Sequence, residues 1–159
     1  MASRVHVFTG PTLSADDVGG ILPGALLHGP ATGGDLLRLG AAAGDVVVLV
    51  DGAMAAGNAV RHKEILALLD GGVEVWGAGT LGALRGAELQ ACGMRAHGRV
   101  ARLFARGVLE GDDEVAVDGR PDAVALVDVR ATCRAACRSG LVDPETARDL
   151  LAAAQGLAP

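Results

Sequence analysis

Residues 62–89 read HKEILALLDGGVEVWGAGTLGALRGAEL. This stretch decides the fold, because it places a helix, a strand and a second helix in immediate succession. The first helix is predicted from Asn58, a good capping residue, to Asp70, with Gly71-Gly72 as its stop. Val73 to Trp76 reads as a strand, and a helix is predicted from about Thr80 to Cys92. Between them lies Gly77-Ala78-Gly79-Thr80-Leu81-Gly82, which matches G-x-G-x-x-G.

The same alternation extends in both directions. Val46-Val47-Val48-Leu49-Val50 is a continuous, mostly β-branched run, the pattern of a strand buried on both faces of a parallel sheet, and Asp51-Gly52 ends it. Val5 to Phe8 is a first strand closed by Gly10-Pro11, and Ala25 to His28 a second. Asp16 to Leu22 is a short helix, and Asp35 to Ala43 another that Gly44 stops. Downstream, His97 to Arg106, Asp122 to Ser139 and Pro144 to Gln155 read as helices. Asp143 caps the last of these and Pro144 takes its first position. Strands alternating with helices build right-handed βαβ units. The expectation is one α/β domain over residues 1–159, three-layered, with a mostly parallel sheet and Rossmann-like alternation. Residues up to about 117 form the core that carries the motifs, and about 118–159 form a helical tail.

Composition narrows the function classes. A chain of 159 residues, 50% hydrophobic, can bury a sizeable core. Its net charge of -5 argues against a nucleic-acid backbone as partner, since phosphate neutralisation needs clustered Lys and Arg. Aromatic residues make up 2%, too few for a base-stacking platform. No run approaches the roughly 18 apolar residues of a membrane span, and the N-terminus lacks an apolar signal core. An odd count of 3 cysteines fits a reducing compartment, so a cytoplasmic location is expected. Cys133 and Cys137 share a helix face and read as small buried side chains, because a structural zinc site normally needs four ligands.

The glycine-rich turn supports three readings. As a dinucleotide loop it comes late in the chain. It also lacks the acidic residue about 20 positions on that would hold the ribose, since Glu88 is too early and lies within the predicted helix. No nicotinamide or flavin is therefore expected. As a nucleophile elbow, Ala78-Gly79-Thr80-Leu81-Gly82 has the required small-x-nucleophile-x-small form, and the N–H groups near Leu81 and Gly82 would hold a developing oxyanion. As plain structure, Thr80 caps the following helix.

Other chemistry-bearing residues converge on the same edge. Lys63 lies roughly 7 Å along its helix from Asn58. That helix start, the Thr80 turn, Asp51 and Thr12 all follow strand carboxyl ends, where ligand sites gather. A lysine near a positive helix end between low-dielectric walls is suited to take a hydroxyl proton; the alternative is a solvated helix lysine. His62 shares a face with Ile65, Leu66 and Leu69 and reads as a partly buried structural residue. Arg85 and Glu88, three apart, pair either to support the site or only to stabilise their helix. Asp112, Asp113 and Glu114 are adjacent rather than spaced like a chelating loop, so they read as a solvated turn or a partner-binding edge.

Several blocks together are more specific than any one of these motifs. They are Phe8-x-Gly10-Pro11-Thr12, Asp51-Gly52, His62-Lys63-Glu64-Ile65-Leu66, Gly77-Ala78-x-Thr80-x-Gly82-Ala83-Leu84-Arg85-x-Ala87-Glu88-Leu89, Gly93-Met94, and Asp112-Asp113-Glu114-Val115-Ala116. With them the chain resembles the TfuA-like proteins, companions of YcaO enzymes that replace a backbone amide oxygen of a peptide with sulfur. The resemblance implies hydrolysis of the thiocarboxylated C-terminus of a small ubiquitin-like sulfur carrier protein, and help for YcaO in engaging the peptide substrate. It also implies a Ser-Lys hydrolase site. The lysine falls on Lys63 and the serine on Thr80, where the extra methyl restricts χ1 and crowds attack. In that reading Lys63 is the base, Thr80 the nucleophile, and no metal or organic cofactor is needed, ATP chemistry belonging to YcaO. The contrasting expectation is a non-catalytic adaptor that holds YcaO, carrier and peptide together, with Thr80 reduced to a cap.

Overall fold

A computed structural model describes residues 3–54, 58–117 and 124–156. Five strands are Val5–Phe8 (β1), Leu26–His28 (β2), Val46–Leu49 (β3), Glu74–Gly77 (β4) and Arg95–Ala96 (β5). They form one sheet in the order β2-β1-β3-β4-β5, with every pairing parallel. The helices are Ala15–Ile21 (α1), Asp35–Arg38 (α2), His62–Asp70 (α3), Leu81–Glu88 (α4), Gly98–Ala105 (α5), Leu126–Arg138 (α6) and Pro144–Gln155 (α7). The α/β architecture and parallel sheet expected from the alternation are therefore present. No helix among the described residues is long and apolar enough to cross a membrane.

Strand order fixes where a site belongs. The chain leaves β1 for β2 on one side and then crosses to β3 on the other. The carboxyl ends of β1 and β3 thus flank the topological switch point, the crevice where doubly wound sheets bind ligands. The main core fills one face of the sheet, with Phe8, Val47, Leu49 and Val75 packed against Leu36, Ile65, Leu68 and Leu81. On the other face Val7 and Val50 meet Val18 of α1. The β3 run departs from its expected burial on both faces: Val47 and Leu49 are buried, but Val46 and Val48 only half so. Beside them Arg95 lies over the Trp76 ring, 5.0 Å from its centroid, and Trp76 Nε1 donates to Glu74 (2.7 Å).

Helix boundaries shift for identifiable reasons. The helix expected to run to Ala43 stops at Arg38, two residues before Gly40 takes a positive φ. The next starts at His62 rather than near Asn58, because buried Glu64 reaches back to accept the Arg61 N–H (3.2 Å). Its other oxygen accepts the Gly34 N–H (2.8 Å), joining α3 to α2. The helix expected to run to Cys92 ends at Glu88, and Gln90–Cys92 form a 3-10 turn. The two-residue β5 carries no apolar run and was invisible in the sequence.

Two polar ties anchor the ends of the domain. The acidic run at Asp112 is not simply a solvated turn: Glu114 is buried and takes the guanidinium of Arg130 in α6 (Nε to Oε2 2.8 Å, Nη2 to Oε1 2.7 Å). That pair seats the first turn of α6, where Ala125 and Val127 join Leu84, Leu109, Val115 and Val117 in a second core. At the other end, Asp45 accepts the Arg4 N–H (2.9 Å), Arg4 Nη2 (2.6 Å) and the Ala42 N–H (2.9 Å). The Arg4 side chain first, then these backbone donors, hold the Asp45 carboxyl well below the usual carboxylate range. A lowered folded pKa contributes stability that is fully present above the unfolded value and lost as pH falls toward the folded one. Asp45→Asn should therefore lower the Tm at neutral pH, and the gap to wild type should narrow below about pH 4. Melting curves across that range check both statements.

Candidate functional site

Three strands deliver polar residues to one crevice. Thr12 follows β1, Asp51 follows β3 and Thr80 follows β4. Asp51 is 1% exposed and Thr80 2%. The Thr80 hydroxyl donates to Asp51 Oδ1 (3.0 Å), and the Thr12 N–H donates to Asp51 Oδ2 (3.0 Å). One carboxylate thus bridges the switch point from the β4 turn to the β1 loop. Backbone bonds brace it: the Asp51 N–H donates to Phe8 O (3.3 Å) and the Thr80 N–H to Val50 O (3.2 Å).

The glycine motif makes this approach possible. Gly79 has φ +67, and a Cβ there would lie 2.7 Å from Val50 Cγ1. A Cβ on Gly82 would lie 1.8 Å from the Leu49 carbonyl oxygen, and one on Gly77 2.0 Å from Gly82 O. The turn is a close-packing device that presses the start of α4 against β3 and carries Thr80 onto Asp51. Thr80 does occupy the N-cap position of α4, yet its hydroxyl makes no capping bond to the helix. The side chain is committed to the carboxylate instead.

The remaining candidate residues separate into two groups. Lys63 is exposed on the first turn of α3 and makes no hydrogen bond or ion pair among the described residues. The hydroxyl it was expected to serve is bonded to Asp51. Of the two expected oxyanion donors, the Gly82 N–H is directed to Val50 O (3.4 Å), whereas the Leu81 N–H has no backbone partner among the described residues. His62 is exposed rather than partly buried, and its Nε2 meets Glu88 Oε2 (2.8 Å). The same oxygen takes Arg85 Nη1 (2.7 Å), while Arg85 Nε donates to Val60 O (3.1 Å). Arg85 and Glu88 therefore hold the entry of α3 against α4. They do not line the space beside Thr80.

That space is a cavity of about 340 Å³, lined by Pro11, Thr12, Thr80, Val117, Val124, Ala125 and Asp128. Asp128 comes from the first turn of α6, within the stretch that sequence alone assigned to a separate tail. Burial, and then the negative charge of Asp51, push its carboxyl pKa upward. No local signal marked it, since an acidic residue in the first turn of a helix is ordinary.

Fold and site together define a doubly wound α/β domain with a buried hydroxyl–carboxylate pair at its switch point and a second carboxyl, Asp128, on the adjoining cavity. A family model described as TfuA-like protein matches residues 51–158, and the chain belongs to that family. The match takes in Asp51, Lys63, Thr80 and Asp128, and with them α6 and α7. No curated protein matches the chain.

Proposed function

We propose that this protein is a YcaO partner in peptide thioamidation that hydrolyses the thiocarboxylated C-terminus of a ubiquitin-like sulfur carrier to supply sulfide. The observation that carries the reading is the buried Thr80–Asp51 pair opening on a cavity that also holds Asp128. A thiocarboxylate is already an anion, so attack by a hydroxyl leaves two negative charges on the tetrahedral carbon's substituents. Sulfur cannot leave as a dianion and needs a proton. Asp51 takes the Thr80 proton as Oγ1 bonds to the carbonyl carbon. Asp128 gives its proton to sulfur as the C–S bond breaks, releasing hydrosulfide and leaving an acyl ester on Thr80. In the second half a water loses its proton to Asp128, and Asp51 returns its proton to Thr80 as the ester opens. Both carboxyls end as they began, and the carrier leaves with an ordinary carboxyl terminus.

In this scheme Lys63 is not the base. An exposed cation at the mouth of α3 attracts the anionic carrier terminus, so Lys63→Ala should raise KM and weaken the salt dependence while leaving kcat largely intact. Asp128→Asn removes the acid: sulfide release should fall by about 10²–10⁴-fold. Acylation of Thr80 by an activated aryl ester, whose leaving group needs no proton, should change little, read as the initial burst of phenolate before deacylation limits turnover. In wild type, sulfide release should decline as pH rises through the raised Asp128 pKa. A pH profile of both substrates, with wild type and Asp128→Asn, tests the assignment. Equal losses on the two substrates would argue for a structural defect instead.

One observation favours the adaptor reading: the Thr80 hydroxyl is almost wholly buried in its bond to Asp51, as a purely structural threonine would be. In that case the protein recruits carrier and peptide to YcaO without cleaving anything, and wild type alone releases no sulfide.

A further inference from the structure

Beyond its first turn, α6 has no buried residue, and α7 has none at all. The two helices pack on each other through a connection of residues 139–143, and between them runs a groove of about 310 Å³. Its floor is apolar or weakly polar: Cys133 and Cys137 from α6, Ala147 and Leu151 from α7. Its rim is cationic, with Arg130, Arg134 and Arg138 on one side and Arg148 on the other, and no acidic side chain lines it. Arg130 is taken by Glu114, but Arg134 and Arg138 have no hydrogen-bond or ion-pair partner among the described residues. Arg148 Nε donates only to the Pro144 carbonyl of its own helix (3.2 Å). In a chain of net charge -5, this concentration of unpaired positive charge is not a matter of composition.

We propose that this groove docks an acidic amphipathic helix of a partner protein. The unpaired arginines at 134 and 138 stand about 6 Å apart along the axis, so complementary carboxylates must stand one turn apart. The floor calls for an apolar stripe beside them. A helix with acidic residues at i and i+4 flanking leucines supplies both. It also completes the packing layer that two exposed helices leave open. Guanidinium forks suit carboxylates in geometry as well as charge. Nucleic acid would satisfy the arginines but not the floor, and no aromatic side chain lines the groove to stack a base.

The chain carries its own reporters. Cys133 and Cys137 line the groove, and the third cysteine, Cys92, is exposed away from it in the 3-10 turn after α4. The probe is a fluorescein-labelled peptide of roughly 18 residues of Leu, Ala and Glu, long enough to hold a helix, with Leu along one face and Glu at i and i+4 beside it. Anisotropy should show micromolar binding, and an isomer of scrambled order should bind at least ten-fold more weakly. Arg134→Glu with Arg138→Glu, and separately Leu151→Asp, should each weaken binding at least ten-fold. Arg134→Gln with Arg138→Gln serves if charge reversal lowers the Tm. The unlabelled peptide should slow maleimide labelling of Cys133 and Cys137, read by mass mapping, and leave Cys92 unchanged. Absence of binding, equal binding by the scrambled isomer, binding unaffected by both sets of variants, or tighter binding of single-stranded DNA through the same arginines would overturn the proposal.

Discussion

An Asp51→Asn variant is expected to lose about 10²–10⁴-fold in kcat for sulfide release while staying folded. Asparagine is nearly isosteric, and its carbonyl oxygen can still accept the Thr12 N–H that aspartate accepts at 3.0 Å. What it cannot do is take the Thr80 proton. Thr80→Ala should fall as far as Asp51→Asn, and the double variant little further, because the two groups act as one unit. Thr80→Ser should keep or raise the rate, since it retains the hydroxyl and removes only the methyl that crowds attack. Lys63→Ala separates the two assignments of the base: a collapse of kcat equal to that of Asp51→Asn would return the role to the lysine. Initial rates with a melting curve on each variant decide among these outcomes.

Gly82→Ala is expected to cost more than about 3 kcal/mol, a large part of the roughly 5–15 kcal/mol that holds a domain of this size together. The added Cβ would sit 1.8 Å from the Leu49 carbonyl oxygen, with the Leu49 Cβ only 3.2 Å away. Both obstacles belong to β3 at the centre of the sheet, so no rotamer change relieves the clash; α4 must move off the strand and take Thr80 from Asp51. Gly19→Ala is the matched control. Nothing lies within 4 Å of its added Cβ, and inside a helix the change should be neutral or stabilising by up to about 1 kcal/mol. Urea unfolding of the two variants measures the contrast.

Part of this arrangement is legible in the sequence. The alternation from Val5 to Cys92 gave the parallel α/β sheet, because short apolar runs between glycine-terminated helices carry their own signal. Thr12, Asp51 and Thr80 were recognisable as a set, because each follows a strand and strand carboxyl ends share one edge in such a sheet. Their pairing was not recognisable. The Thr80–Asp51 bond requires β3 to lie beside β4, with α4 pressed onto β3 by Gly82, and adjacency of strands is a property of the whole fold. Helix position and the resemblance both directed attention to Lys63, which the fold leaves exposed on the first turn of α3. Asp128 was out of reach for a related reason. It reaches the cavity only because the Glu114–Arg130 pair and the Ala125–Val127 contacts seat α6 on the core, and an acidic run that looked solvated gave no hint of that tie.

The proposed function stands or falls on Thr80 and Asp51 working as a hydrolytic pair. Its most direct test is to incubate the purified protein, without YcaO, with a thiocarboxylated carrier, following sulfide release and carrier mass together. Sulfide should appear in step with conversion of the carrier terminus from thiocarboxylate to carboxylate, and both should be lost in Thr80→Ala. A folded wild type that releases no sulfide, yet still supports thioamidation when YcaO is added, would contradict it.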